Sequence, residues 1–176
     1  LIRGRCIMVT GAGGSIGIEL VRQICNFDPK KIVLSDNSEY ALYSVDLQVS
    51  EVSPDIPRFA EYLDVRHTSR VERCILRHQP DLVFHAAALK HVPIVEENLI
   101  EGLKNNLLGT FELAQLALKN NVHNFVFIST DKAVRPTNIM GATKRLAELS
   151  LQALNEKNLI KSESKSKTKF SIVRFG

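Results

Sequence analysis

The stretch Arg-Cys-Ile-Met-Val-Thr-Gly-Ala-Gly-Gly-Ser-Ile-Gly, residues 5–17, decides the fold of this chain. Its first part, residues 5–10, is a short apolar run that ends at a cluster of glycines, and we predict a buried strand there. Residues 15–26 are predicted to be a helix, because Ile16, Leu20 and Ile24 recur on one helical face. A strand that leads through a glycine turn into a helix is the first half of a strand–helix–strand unit.

The same alternation of strand and helix continues along the chain. Further strands are predicted at residues 32–35, 59–63, 82–86, 125–129 and 170–175. Helices are predicted at residues 39–52, 69–78 and 140–154, and residues 94–120 form one long helix or two shorter ones. Strands spaced by helices indicate a parallel sheet covered on both faces, with right-handed crossovers. We therefore predict an α/β doubly wound fold, a three-layer α/β/α Rossmann domain. Residues 157–169, rich in lysine and serine, are predicted to be a solvated loop.

The composition is that of an ordinary globular protein. The 176 residues suit one domain, and 44% hydrophobic and 24% charged residues are typical of soluble proteins. The net charge of +4 is mild, and no interleaving of basic and aromatic residues indicates nucleic-acid binding. Cys6, Cys25 and Cys74 lie in apolar segments without metal-ligand spacing, so we expect buried, reduced thiols, no metal and a cytoplasmic setting.

No apolar run has the length of a membrane span, and no signal peptide is present. The chain begins at Leu1 without a methionine and stops directly after the last predicted strand. We therefore expect residues 1–176 to be a truncated NAD(P)-binding Rossmann domain.

The glycine cluster predicts a phosphate site. Gly11, Gly14 and Gly17 form a GxxGxxG spacing between a strand and a helix, which allows a tight turn and backbone approach to a pyrophosphate. Ser15 and Ile16 would lie at the helix opening, where unpaired N–H groups and the helix dipole favour an anion.

Asp36, nineteen residues past Gly17, ends the second strand, where an acid would hold the adenosine ribose. Its alternative role is to cap the next helix. Asp36 would repel a 2′-phosphate, so we expect NAD, with NADP as the alternative.

Residues after strands three and four are placed to contact the same cofactor. Asp64 and Val65 would contact adenine, although a loop-capping role for Asp64 is the alternative. Ala86 and Ala87 are small enough to let a cofactor lie close to the backbone. His85 we expect to be a core histidine with its hydrogen bonds satisfied.

The sequence Ser-Thr-Asp-Lys, residues 129–132, precedes Met-Gly-Ala-Thr-Lys, residues 140–144. This pair resembles the catalytic strand end and helix of a short-chain dehydrogenase/reductase, with methionine in place of the tyrosine base four residues before Lys144. Because the thioether of Met140 cannot transfer a proton, the chemistry must fall to Thr130, Asp131 and Lys132.

Together with His-Ala-Ala-Ala-Leu-Lys-His-Val-Pro at residues 85–93 and Asn-Asn-Leu-Leu-Gly-Thr at residues 105–110, these motifs resemble a particular group. They are similar to the CapD-like nucleotide-sugar 4,6-dehydratases of bacterial polysaccharide biosynthesis, UDP-N-acetylglucosamine 4,6-dehydratases in particular. Ile18 and Asn105 depart from the usual serine and threonine. The methionine form belongs to larger members, which implies an inner-membrane anchor with the catalytic domain facing the cytoplasm. A later domain that grips the UDP-sugar would lie outside this chain.

The resemblance also implies roles for the polar residues. Asp131 would protonate the departing water, with a pKa raised by burial. Lys132 would take the carbon 5 proton, which needs partial desolvation. Thr130 would relay the 4-hydroxyl proton, and Lys144 would hold the nicotinamide ribose. The alternatives are a surface ion pair for Asp131 and Lys132, and an ordinary exposed helix lysine at position 144.

Two more residues are assigned to the substrate side. Lys90 would enter the cleft near the sugar or phosphates, with a solvated loop lysine as the alternative. Asn106 would support the active-site loops by hydrogen bonds, with helix capping as its competitor.

The expected partners are a UDP-N-acetylhexosamine and a second copy of the chain, paired through residues 97–120 and 140–154. Part of one apolar surface would form the pairing face, with a wide core-facing stripe in a monomer as the alternative. The apolar positions of this surface are Phe111, Ala114, Leu118, Leu146, Leu149 and Leu151. A nucleotide-sugar epimerase and a non-catalytic dinucleotide-binding module are the competing functions.

Overall fold

The computed structural model describes residues 1–160 and 168–176, with side chains through residue 157 and from residue 168. Its centre is one six-stranded sheet in the order β3-β2-β1-β4-β5-β6. Every pairing is parallel. The strands are β1 (Cys6–Thr10), β2 (Lys31–Asp36), β3 (Arg58–Tyr62), β4 (Leu82–His85), β5 (Asn124–Thr130) and β6 (Lys169–Phe175). The predicted doubly wound Rossmann topology is confirmed.

Helices cover both faces of this sheet. They are α1 (Ser15–Cys25), α2 (Glu39–Val52), α3 (Thr68–His78), α4 (Val92–Glu97), α5 (Leu99–Gly102), α6 (Thr110–Lys119) and α7 (Ile139–Ile160). Leu103–Gly109 is π-helical and joins α5 to α6. The single long helix considered at residues 94–120 is excluded, because Asn98 leaves the helical region with φ −127° and ψ 52°. The alternative of two helices is closer to the structure, with one short helix before Asn98 and a continuous helical stretch from Leu99 to Lys119 after it.

The core lies in two layers, one on each side of the sheet, as the alternation of strand side chains requires. Cys6 and Met8 face α3, α6 and α7, whereas Ile7 and Val9 face α1 and α2. The strand register places the carboxyl end of β1 beside that of β4, with Thr10 opposite His85. This edge carries the loops that form the candidate site.

Two expectations about other regions are resolved here. The loop expected from residue 157 is wrong at its start, because α7 continues to Ile160; residues 161–167 of that loop lie outside the described residues. Cys6, Cys25 and Cys74 are buried free thiols, as predicted. Among the described helices, none has the length and apolar character needed to cross a bilayer.

Candidate functional site

The glycine loop packs closely against the chain that follows β4. Gly11 has φ +67°, and a Cβ there would come within 2.6 Å of the Ala87 backbone nitrogen. At Gly17 a Cβ would collide with the carbonyl oxygen of Gly11. Gly14 differs, because a Cβ there would meet only the Gly11 oxygen, at 3.3 Å. Two glycines thus allow the turn, and the third faces open space at the start of α1, where no side chain caps the helix.

Asp36 joins the loop to the second strand–helix unit. Its Oδ2 accepts a hydrogen bond from the Gly13 nitrogen at 3.0 Å, and its Oδ1 accepts one from the Ser38 nitrogen at 2.9 Å. The carboxylate is mostly buried, yet it lines the cavity beside the loop. Asp36 therefore both supports the start of α2 and faces the space predicted for a ribose.

The first cavity, of about 310 Å³, contains most of the residues predicted to bind a cofactor. They are Gly11, Gly14, Ser15, Ile16, Gly17, Asp36, Val65, Ala86 and Ala87, and Lys90, which was predicted for the substrate side, lines the cavity too. Sequence reasoning did not assign Ala41, Leu63 or Asn105 to this cavity, since the first two are apolar and Asn105 stood out only as a departure from the usual threonine.

Asp64 does not line this cavity. Its carboxylate binds the guanidinium of Arg66, with Oδ2 at 2.6 Å from Nη2, and it also accepts from the Arg66 backbone nitrogen at 2.9 Å. Hydrogen bonds from Arg66 lower the pKa of Asp64. The geometry matches the loop-capping alternative for Asp64, while Val65 next to it is buried against the cavity.

Asn106 supports the loop after β4 from below. Its Oδ1 accepts from the Leu89 nitrogen at 2.8 Å, and its Nδ2 donates to the Leu89 oxygen at 2.9 Å and to Thr143 Oγ1 at 3.1 Å. The side chain is fully buried. The predicted loop support is present, but it comes from a π-helical segment rather than from a helix start. Asn106 lines neither cavity of the candidate site.

Lys90, on this loop, extends across the cleft to the glycine loop. Its Nζ donates to Ser15 Oγ at 3.2 Å, and its side chain is exposed. Lys90 lines the first cavity and also a second, adjoining cavity of about 260 Å³. It is therefore the cation best placed to contact anionic groups in both.

The second cavity holds most of the residues predicted to carry the chemistry, although Asp131 is not among the residues that line it. Thr130, Lys132, Met140 and Lys144 line it, together with the end of β6 at Phe175 and Gly176. Ile16, Ala86, Ala88 and Lys90 belong to both cavities, so one continuous cleft joins them.

Asp131 and Lys132 form an exposed pair at the end of β5. Asp131 Oδ1 accepts from Thr130 Oγ1 at 2.9 Å and from Lys132 Nζ at 3.2 Å. The side chains are 58% and 49% exposed. Hydrogen bonds from Thr130 and Lys132 lower the pKa of Asp131, so the expected raised pKa is wrong, because nothing buries the carboxyl. The desolvation expected of Lys132 is likewise missing in this half-exposed side chain.

Lys144 is buried, which excludes the exposed-lysine alternative. The side chain is only 5% exposed, and its Nζ donates to the Ile128 oxygen at 2.8 Å. The ammonium also lies 4.3 Å from the centre of the Phe127 ring. Burial lowers the pKa of Lys144 to about 7, against the opposing charge of Glu148. Met140, one turn earlier, is buried too.

His85 has the predicted core role. Its Nδ1 is 2.6 Å from Thr10 Oγ1, and its Nε2 is 2.8 Å from Thr110 Oγ1. Burial, followed by the charge of Lys144, lowers the pKa of His85 to about 3, so the ring is neutral. This histidine holds β1, β4 and α6 together beneath the site.

Outside the cleft, Glu61, Cys74 and His78 bring possible metal-ligand atoms within 4.8 Å of one another, a grouping that sequence spacing did not indicate. His78 Nε2 lies 2.6 Å from Glu61 Oε1, which satisfies both groups. Burial, followed by the charge of Glu61, raises the pKa of Cys74 to about 12. The cluster is a hydrogen-bonded pair beside a protonated thiol.

The positions proposed for pairing divide between core and surface. Ala114 and Leu151 are fully buried in the core, so their assignment to an interface is wrong. Phe111 packs partly against the same core, while Leu118 is half-buried. Leu146 and Leu149 on α7 are exposed, and Ile100 and Leu108 add further exposed apolar surface on elements that contact α7.

The sequence matches the family described as "Polysaccharide biosynthesis protein" over residues 7–176. It is 46% identical to the capsular polysaccharide biosynthesis protein CapD of Staphylococcus aureus, over 99% of this chain and 28% of that protein. An uncharacterized membrane protein of Methanocaldococcus jannaschii is also 46% identical, over 99% of this chain and 49% of its own length. A UDP-N-acetylglucosamine 4,6-dehydratase (inverting) of Campylobacter jejuni is 30% identical, over 100% of this chain and 50% of the enzyme. The chain thus spans half or less of each of these relatives.

Solved structures share the fold. Pen from Bacillus thuringiensis superposes with a TM-score of 0.86 at 30% identity, over 99% of this chain and 52% of that one. The UDP-glucose 4-epimerase of Thermus thermophilus, solved in complex with NAD, superposes with a TM-score of 0.77 at 23% identity, over 97% of this chain and 55% of that one.

Proposed function

The chain belongs to the polysaccharide biosynthesis protein family, and from this premise we propose that it forms the cofactor-binding part of a nucleotide-sugar 4,6-dehydratase that acts on a UDP-N-acetylhexosamine. One observation carries the proposal. A single cleft joins the glycine loop to a second cavity lined by Thr130, Lys132 and Lys144, with methionine at position 140.

The residues of the first cavity fit a dinucleotide. The uncapped start of α1 and the open space at Gly14 suit a pyrophosphate, and Asp36 suits ribose hydroxyls. When bound, the nicotinamide would accept a hydride from the sugar and later return it. Lys144 lines the second cavity beside this space, where its ammonium would orient the nicotinamide ribose.

The proton chemistry is assigned to the end of β5. The Thr130 hydroxyl would take up the proton of the sugar 4-hydroxyl and pass it to Asp131, to which it already donates. Lys132 would take the carbon 5 proton, and Asp131 would protonate the departing hydroxyl. Asp131 would thus pass to the departing hydroxyl the same proton that it received through Thr130. Lys132, half-exposed beside it, would release its own proton to solvent before it takes the carbon 5 proton, and it would return a proton to carbon 5 when the hydride returns to carbon 6.

The test is incubation of the full-length protein with UDP-N-acetylglucosamine in deuterium oxide, followed by mass spectrometry. A dehydratase yields a product that has lost water and carries a solvent deuteron at carbon 5. An epimerase would yield a product of unchanged mass without deuterium. No conversion across a panel of UDP- and dTDP-sugars would refute the proposal and favour a non-catalytic dinucleotide-binding module.

The proposed cofactor is NAD rather than NADP. The Asp36 carboxylate is held by two backbone donors at the cavity wall, and its negative charge would repel a 2′-phosphate. Calorimetry should give tighter binding of NAD than of NADP. Asp36→Asn should reduce this difference in affinity between the two cofactors. Equal affinities in the unchanged protein would contradict the assignment.

The relatives and the exposed apolar face support two further proposals, on location and on assembly. We propose an inner-membrane anchor outside this chain with the domain in the cytoplasm, since one relative is named a membrane protein. Leu146 and Leu149 would pair with a second copy of the chain around a two-fold axis. Light scattering of the full catalytic domain should give a dimeric mass that Leu149→Glu reduces, and a monomer at high concentration would exclude the dimer.

A further inference from the structure

Glu148 is a buried carboxylate that neither the sequence motifs nor the proposed chemistry uses. Its side chain has no exposed surface. Oε1 accepts from Ser129 Oγ at 2.7 Å and from Arg174 Nε at 2.8 Å. Oε2 accepts from Arg174 Nη2 at 2.6 Å and from Arg145 Nη1 at 2.9 Å. Four donors from three elements therefore converge on one group at the base of the second cavity.

Two of these partners belong to the strand ends at the second cavity. Ser129, at the end of β5, lines the cavity itself, and Arg174 directly precedes Phe175, which lines it at the end of β6. The two strands pair in register there, with Ser129 opposite Arg174. Glu148 thus ties both strand ends to α7, and α7 also carries Met140 and Lys144.

The same carboxylate is held in its charged form by its partners. Burial raises the pKa of Glu148, but hydrogen bonds from Arg174, Ser129 and Arg145 outweigh it and lower the pKa to about 2. Its charge raises the pKa of Lys144, which stands one helical turn earlier. The other titratable groups on the elements around Lys144 are His85, which is neutral, the cations Lys90, Lys132, Arg145 and Arg174, and the exposed carboxylate of Asp131. Glu148 is the buried carboxylate among them, on the same helix as Lys144.

We propose that Glu148 is a positioning residue of this site, which fixes the ends of β5 and β6 against α7, the helix that carries Lys144. The inference rests on the proposed function for its effect on turnover, but not for its effect on Lys144. It predicts a pH-dependent role for a residue that touches neither sugar nor cofactor.

The test compares Glu148→Gln with Glu72→Gln, which removes a partly exposed glutamate from an ion pair between α3 and α6, with Lys119, outside the second cavity. The ionisation of Lys144 is followed by the ¹⁵N resonance of its Nζ, assigned with Lys144→Met, and NAD affinity is measured across the same pH range. We expect Glu148→Gln to move the Lys144 midpoint, and the loss of NAD affinity above it, to lower pH. Glu72→Gln should leave both unchanged.

In the full-length protein, Glu148→Gln should also lower turnover roughly tenfold to a hundredfold, as misplaced catalytic groups do. An unmoved Lys144 midpoint overturns the proposal whatever the turnover, because a merely structural role would lower turnover too. If Glu148→Gln does not fold, Glu148→Asp is the alternative test, since it keeps the negative charge but has a side chain too short to contact both Ser129 and Arg174. For this variant, normal Lys144 titration with reduced turnover supports the proposal, and unchanged turnover overturns it. Absence of dehydratase activity in the unchanged protein would sink the proposed function and leave the Lys144 titration to decide this inference.

Discussion

The two cavities of the cleft are built in opposite ways. In the first, the groups that face the cofactor space are held by the fold itself: Asp36 has two backbone donors, and Gly11 and Gly17 leave no room for a side chain. At the second, Asp131 and Lys132 project from a short turn and are half-exposed. Met140 and Lys144, on the helix that lines this cavity, are buried.

This difference indicates how the work is divided. Cofactor binding needs donors and shape, which one Rossmann domain supplies in advance. Acid–base chemistry needs an acid that is protonated when it acts, and the exposed Asp131 instead has a lowered pKa. A bound sugar would have to supply the desolvation that this exposed site lacks. We therefore predict that substitutions at the first cavity mainly change NAD affinity, whereas substitutions at the second mainly change turnover.

The largest effect is expected at the exposed pair. In the full-length protein, Asp131→Asn and Lys132→Ala should each lower turnover by roughly 10²–10⁴-fold, because each removes a positioned proton-transfer group. NAD affinity should remain close to that of the unchanged protein, since neither residue lines the first cavity. Steady-state rates with UDP-N-acetylglucosamine and calorimetry with NAD measure the two quantities. Substantial turnover by Lys132→Ala would overturn its role as the base.

The next effect concerns the glycine loop and should appear in binding. Gly14→Val adds methyl groups in the open space at the start of α1, where they would obstruct a pyrophosphate. We expect NAD affinity to fall roughly tenfold to a hundredfold, as crowding of about 1–3 kcal/mol implies. The melting temperature should change little, because a Cβ at Gly14 meets only one oxygen, at 3.3 Å.

Gly17→Val is the matched variant, since the same side chain there would collide with the Gly11 oxygen. It should lose stability as well as NAD binding. If Gly14→Val binds NAD with the affinity of the unchanged protein, the assignment of the phosphate site to this loop is wrong.

The parts of this molecule that were predictable from the sequence are those set by local pattern. Alternating strands and the glycine loop predicted the sheet and nine residues of the first cavity. The break at Asn98 was not predictable, because apolar periodicity continues across it. The low pKa of Asp131 was missed because the sequence does not show whether neighbouring segments cover the end of β5, and the side chain proves to be exposed. Glu148 was missed because a glutamate within a helix resembles any solvated position, and its partners on β5 and β6 are distant in sequence.

A smaller effect is expected at buried Lys144 and depends on pH. Its pKa is lowered from 10.5 to about 7 in the folded state, so between these values the unfolded chain binds a proton that the folded chain does not. The free energy of unfolding therefore rises with pH across this window, and below it the folded state bears the full cost of a buried charge. Lys144→Met removes this dependence.

We expect the stability of Lys144→Met, relative to the unchanged protein, to be most favourable below about pH 7 and to decline toward about pH 10. Urea unfolding across this range measures the difference, with NAD affinity as the second readout, which should fall in the variant at neutral pH. A difference in stability that does not vary with pH would show that Lys144 is not desolvated as the geometry implies.

The smallest effect is expected at Met140, where a substitution tests whether this position takes part in proton transfer. The side chain is 3% exposed and lines the second cavity, where other short-chain dehydrogenases have their tyrosine. Met140→Leu conserves volume and removes only the sulfur, so stability should fall by less than about 1.5 kcal/mol. If proton transfer belongs to Thr130, Asp131 and Lys132, turnover in the full-length protein should remain within roughly threefold, far from the loss expected for a proton-transfer group. The turnover rates of Met140→Leu and Asp131→Asn should be measured side by side. An equal loss of turnover in both variants would show that position 140 takes part in the chemistry.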